Sequence, residues 1–347
     1  LTSNTTGSQN IAIGGEALEA NVSGATNIAI GFRALEANTT ASENTAVGRN
    51  ALAVNTTGAQ NVAFGAYALD ANTTGNNSTA VGYQALTANT ASNSTAVGRR
   101  ALYANSSGGN NSAFGQNALA NNATGAHNTA VGKSALELNT TGNNNTAVGS
   151  LALDSNTRSN NSTAVGANAL DANTTANDNT AVGHQALTAN TTGTQNTALG
   201  SLALDANTTA NGNTALGYNA MSANSTGAFS TAVGRSALRE STTATSNTAM
   251  GYGALNVVST GSYNVAIGNN ALDAQTTANS NVAVGNSALT TNVTGTGLVA
   301  VGGEALQKNT ASNNTAVGFQ ALEENTSGTQ NTAVGTNALD DNTTASY

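Results

Sequence analysis

Residues 145–161 read Asn-Thr-Ala-Val-Gly-Ser-Leu-Ala-Leu-Asp-Ser-Asn-Thr-Arg-Ser-Asn-Asn, one copy of a unit that fills the chain. Its commonest form is N-T-A-V-G-x-x-A-L-x-x-N-T-T-G-x-x. The glycine after the strand-like segment returns twenty times between Gly14 and Gly335, almost always 17 residues apart. Two intervals are one residue shorter, Gly82 to Gly98 and Gly302 to Gly318. Both short copies read N-T-A-S-N, at 89–93 and 309–313, where the others read N-T-T-G-x-x, so the deletion falls in a predicted turn. No linker or shift in composition interrupts the series. Residues 1–347 therefore read as one continuous repeat domain.

Each column of the repeat obeys its own rule. Before the Gly stands a large apolar residue, such as Ile13, Phe64, Val148 or Met250, and before that always Ala. Three after the Gly comes Ala again, then Leu, with Met221 the single exception. Four before the Gly is Asn or Ser, with Leu298 the one departure, and seven after it Asn predominates.

A unit of 17 residues is too short for the helix pairs of helical repeats, which need roughly 33–47. Its Gly and Thr content also disfavours helix. N-T-A-V reads as a short strand with Thr and Val on one face and Asn and Ala on the other. A-L-x-x reads as a second short strand, and N-T-T-G as a turn in which Asn and Gly take positive φ. Identical coils stacked in parallel give an all-β solenoid or β-roll. At about 4.8 Å per rung, twenty coils would form a rod of roughly 95 Å.

In this reading the Val/Ile/Phe and Leu columns face inward, and the Asn columns stack as amide ladders. For the copy quoted above, the ladder set is Asn145, Ala147, Val148, Gly149, Ala152, Leu153 and Asn156. The Ala column before the Val would then face outward, against a neighbour that leaves no space for more than a methyl group. Two readings of that column stand: a second chain against a flat face, most simply in a homotrimer, or a narrow interior that Ala fills.

The segment N-T-A-V-G, and its variant N-I-A-I-G at residues 10–14 and 27–31, with an Ala three residues after the Gly, resemble the head repeats of trimeric autotransporter adhesins. The longer form is similar to repeat arrays of bacteriophage and phage-like tail-fibre proteins. The resemblance implies a left-handed parallel β-roll with three chains side by side, and an extracellular structural fibre that attaches to a host or cell surface. The chain departs from the adhesins in its longer unit. It also begins at Leu1 rather than Met and stops in mid-repeat, and it reads as part of a longer fibre.

Composition narrows the chemistry. The chain lacks Cys, Pro and Trp, only 7% of its residues are charged, and its net charge is −8. Disulfides and Cys-based metal sites are excluded. No apolar run is long enough to span a membrane as a helix. His127 and His184 fall in different columns three coils apart, roughly 14 Å, too far to share a metal or a proton. No nucleophile elbow, phosphate loop or calcium-roll signature occurs. The expectation is a non-enzymatic chain without cofactor.

Five after the Gly, carboxylates recur, and Glu137, Asp154 and Asp171 fall on successive coils. They read either as a solvated edge or as a weak divalent-cation stripe. The sequons at Asn38, Asn55, Asn139, Asn173 and Asn190 are expected on exposed loops, as turn chemistry or glycan acceptors. Nine basic residues scattered through the array argue against nucleic acid. Surface recognition is expected at Tyr67, Tyr83, Arg99, Arg100, Tyr103, Tyr218 and Tyr252. A secreted or cell-surface filament is the alternative function. A third is an ice-binding solenoid, suggested by the regularly spaced Thr.

Overall fold

In the computed structural model, which describes residues 1–346, the chain is an all-β parallel solenoid that divides into two units, Leu1–Asn177 and Asp178–Tyr347. Each unit holds ten strands of three residues: Ile11–Ile13 through Thr163–Val165 in the first, Thr180–Val182 through Thr332–Val334 in the second. Within each unit, successive strands pair in parallel and in register. Thr146, Ala147 and Val148 lie beside Thr163, Ala164 and Val165. No helix occurs among the described residues.

The inner face of each strand is the Ala face. Ala147 and its equivalents from Ala29 to Ala316 are completely buried, while Val148 and its equivalents are exposed or half-buried. This reverses the inward Val column expected from the sequence. The two Asn columns, the Leu and a second Ala already occupy the interior of a turn only 17 residues around. The gap left behind the strand admits a methyl group and nothing larger. The Ala column thus fills a narrow interior and is not the face open to another chain.

Among the described residues no second strand forms in the coil. Ala152, Leu153 and the residues around them make turns, in which left-handed and ordinary conformations alternate: φ is 140° at Gly149, 58° at Leu151 and 52° at Leu153. The Ala152 N–H closes a turn onto the Gly149 carbonyl (3.4 Å), while those of Leu151 and Leu153 reach in opposite directions, to Lys133 and Ala169 of the flanking coils (both 3.0 Å). A carbon branch at Cβ is poorly tolerated at such φ. That explains why the buried column takes Leu, or Met221, and never Val or Ile. Gly149 is needed twice over, for its φ and because a Cβ there would lie 2.4 Å from the Gly166 oxygen.

The N-T-T-G segment also differs from expectation, because its Asn does not take positive φ. That Asn is buried and forms the first of two amide columns. Asn139 Nδ2 donates to Asn122 Oδ1 of the preceding coil (2.7 Å) and to its own turn carbonyl at Gly142 (3.1 Å). In the second column, Asn145 Oδ1 accepts the Ser162 N–H (3.0 Å), and Asn145 Nδ2 donates to the Ser159 carbonyl (2.8 Å). In the shortened copies the Asn reaches a carbonyl two residues on instead of three, as with Asn89 and Ala91 (2.7 Å). The turn absorbs the deletion but loses the bond to the preceding coil, and Asn72 Oδ1 is left buried without a partner.

The first amide column is broken in the second unit, where Ser241, Val258 and Gln275 replace three consecutive Asn. Asn224 Oδ1 and Ser241 Oγ are left buried without a partner. A buried polar atom in that state costs about 1–3 kcal/mol.

Two predictions follow from this packing. Leu153→Ile, equal in volume but branched at Cβ, should destabilise by about 1–2 kcal/mol. Val148→Ile on the outer face should stay within about 0.5 kcal/mol. Denaturant unfolding of both variants against the parent checks the contrast. The double substitution Ser241→Asn, Val258→Asn supplies the donor Asn224 lacks and should raise the unfolding midpoint, by on the order of 1 kcal/mol.

Candidate interaction faces

No cleft or cavity opens among the described residues, so any function that depends on contact must use the outer surface. Three features stand out there.

The first is the outer face of the strands. Thr146 and Val148, with their equivalents, point outward from a parallel sheet and stack in two straight columns. Neither column contains a charged residue in any coil. The column before the Gly is apolar throughout and bare: Phe64 is 55% exposed and Phe114 42%. In each unit, ten rungs and a two-side-chain width make a strip of about 48 Å by 7 Å. That is roughly 340 Å² in each unit, and within it only the column before the Gly is apolar throughout.

The second is the column of carboxylates five after the Gly. Glu137, Asp154 and Asp171 are half-buried. Burial raises the Asp154 carboxyl to about 6, and the negative charges of Glu137 and Asp171 add to the rise. Burial raises Asp70, Asp171, Asp205 and Asp273 in the same direction. Asp154 Oδ1 is buried without a hydrogen-bond partner, so this carboxylate is held under repulsion and poor solvation.

The three acids do not converge on a common point. Among the described residues, the only three carboxylates whose oxygens come within 4.8 Å of one another are those of Glu16, Glu19 and Glu36. Arg33 already sits in that exposed group, 2.6 Å from Glu16 and 3.6 Å from Glu36.

The third feature is aromatic and cationic. In the first unit, the Arg49 guanidinium lies over the Tyr67 ring (5.5 Å), and Tyr67 meets Tyr83 edge to face (6.1 Å). Arg100 lies over Tyr103 (4.4 Å). Arg99 stands exposed beside Arg100. In the second unit, Arg235 is placed 5.8 Å from both Tyr218 and Tyr252. All seven residues expected to mark recognition lie on the surface, in two groups, one in each unit.

The sequons are not on exposed loops. Asn38, Asn55, Asn139, Asn173 and Asn190 are fully buried members of the amide column. In the folded chain their amides are closed to a modifying enzyme. His127 and His184 belong to different units, and neither forms a metal-binding group among the described residues. No helix is long and apolar enough to cross a membrane. No protein-family model matches the chain, and no curated protein does.

The carboxylate column generates a pH prediction. The folded-state value of Asp154 lies above its ordinary one, so the fold prefers the protonated form. Its contribution is fullest below pH 3.8 and is lost as the pH rises through about 6. Asp154→Asn should therefore raise the melting temperature at pH 7 and leave it unchanged below pH 3.8, as thermal unfolding at the two pH values will show.

Proposed function

We propose that this chain is a structural, non-enzymatic segment of an extracellular fibre, built by side-by-side association of three copies and serving attachment to a host or cell surface. The observation that carries the reading is the bare strand face, apolar in one column and free of charge in both, coil after coil. A single chain in water gains nothing by keeping such a strip. A second copy has the same rung spacing and the same absence of charge, so two faces can meet along their length without burying an unpaired ion. The likeness of the repeat columns to adhesin heads and phage tail fibres supports a left-handed roll assembled as a trimer. The stacking of identical coils supports a role in setting length.

A second reading has one observation in its favour. Outward Thr in register at rung spacing, as at Thr129, Thr146 and Thr163, forms the kind of regular flat array that could order water into an ice-like layer. Phe64 and Phe114 project from the same face and spoil its flatness. That favours protein as the partner.

Light scattering with sedimentation decides the matter. A mass near three times 33.9 kDa is expected. The pair Phe64→Asp, Phe114→Asp, on exposed positions, should shift the mass to that of one chain without loss of β-structure. A parent chain that is already monomeric would overturn the trimer. Thermal hysteresis in that monomer would establish ice binding instead.

A further inference from the structure

Apart from the strand face, the first unit carries a short cationic window on an acidic protein. Between Asn44 and Leu136 the chain bears Arg49, Arg99, Arg100 and Lys133 against Asp70 alone, although its net charge is −8. None of the three arginines forms an ion pair with a carboxylate, and Arg100 Nε is buried without a hydrogen-bond partner. Elsewhere Arg33, Arg239 and Lys308 do pair, with Glu16, Glu240 and Glu324. The coil backbone fixes the window: the Tyr67 N–H donates to the Arg49 carbonyl (2.9 Å) and that of Arg100 to Tyr83 (3.0 Å). Left-handed φ at Tyr67 and Arg100, 59° and 58°, fixes how both side chains leave the coil.

We propose that this window binds an acidic polysaccharide, a sugar chain carrying carboxylate or sulfate groups, independently of the fibre reading. A guanidinium laid on an aromatic ring keeps its N–H fork directed outward. Such a fork matches a carboxylate or sulfate in a bidentate pair. Arg49 and Arg100 each lie over a ring, three coils or about 14 Å apart, and Arg100, whose Nε is buried, offers its two terminal nitrogens. Tyr83, 49% exposed and set at 89° to the Tyr67 ring, lies between them as an exposed aromatic surface for the C–H side of a sugar ring.

The charge pattern argues against nucleic acid. A polyphosphate carries a charge about every 3.4 Å along each strand and would run past the window. On one side it would meet Glu16, Glu19 and Glu36, on the other Glu137, Asp154 and Asp171. The rings of Tyr67 and Tyr103 already hold a guanidinium where a base would stack. A sparsely charged, ring-bearing polymer suits four cations and one exposed aromatic ring.

Calorimetric titration of the full chain at low salt tests this with heparin, polygalacturonate, neutral dextran and a 20-residue oligothymidylate. At least one of the two acidic polysaccharides should bind, and dextran should not. The pair Arg49→Gln, Arg100→Gln should weaken binding by about 10- to 100-fold, and Tyr83→Ala should weaken it by a smaller factor. Arg158→Gln, far from the window, should leave it unchanged. Circular dichroism confirms that the variants keep their β-structure, as surface substitutions should. The proposal is overturned if neither acidic polysaccharide binds, if the arginine pair binds like the parent, or if dextran or the oligothymidylate binds as tightly.

Discussion

The length of the turn governs this molecule. Seventeen residues, or sixteen in two places, must leave a strand, travel round and return one rung higher. The enclosed section is so small that one Leu, two Ala and two Asn fill it. Everything else follows from that confinement. The strand shows Ala inward because nothing larger fits. The return path uses alternating left- and right-handed residues because an extended one would overshoot. The buried Asn side chains then do what water does for an open loop, satisfying the turn carbonyls from inside.

How far the sequence could be read follows from the same confinement. Period, parallel stacking and the site of the single-residue deletions are visible because stacking copies each residue onto its neighbour one coil away. Which face of the strand is buried is misleading in the sequence, since the usual rule sends the largest apolar residue to the core. The contrary signal was present. The column before the Gly accepts Ile, Val, Phe, Leu and Met, a spread no tightly packed interior permits, whereas its Ala neighbour never varies. The Leu column carried a second signal: a position that takes Leu and Met but no residue branched at Cβ points to left-handed φ rather than to a strand. The sequons misled because Asn-Thr-Thr has the look of a solvent-facing turn. Only the hydrogen bond from each Asn back to the preceding coil reveals that its amide is turned inside.

The surface separates its tasks by column. The strand face is uncharged and suited to another face like it. The corner after the Gly varies from coil to coil and collects aromatic and cationic groups at one place in the first unit. The carboxylate column beside it is partly desolvated and like-charged. Because each column belongs to a different side of the coil, a substitution in one leaves the others where they are. A repeat of this kind can change what it contacts without disturbing what holds it together.

The buried amide column has a direction. Where the column runs unbroken, the nitrogen reaches back to the oxygen of the coil before, and its own oxygen waits for the coil after. Along those stretches a chain leaving the ribosome N-terminus first presents an acceptor to the segment being made. Each completed turn is a template for its successor. Where that succession lapses, as after Asn224, the next turns close on backbone bonds and on the second amide column, and the array there has a seam that its regular outline conceals.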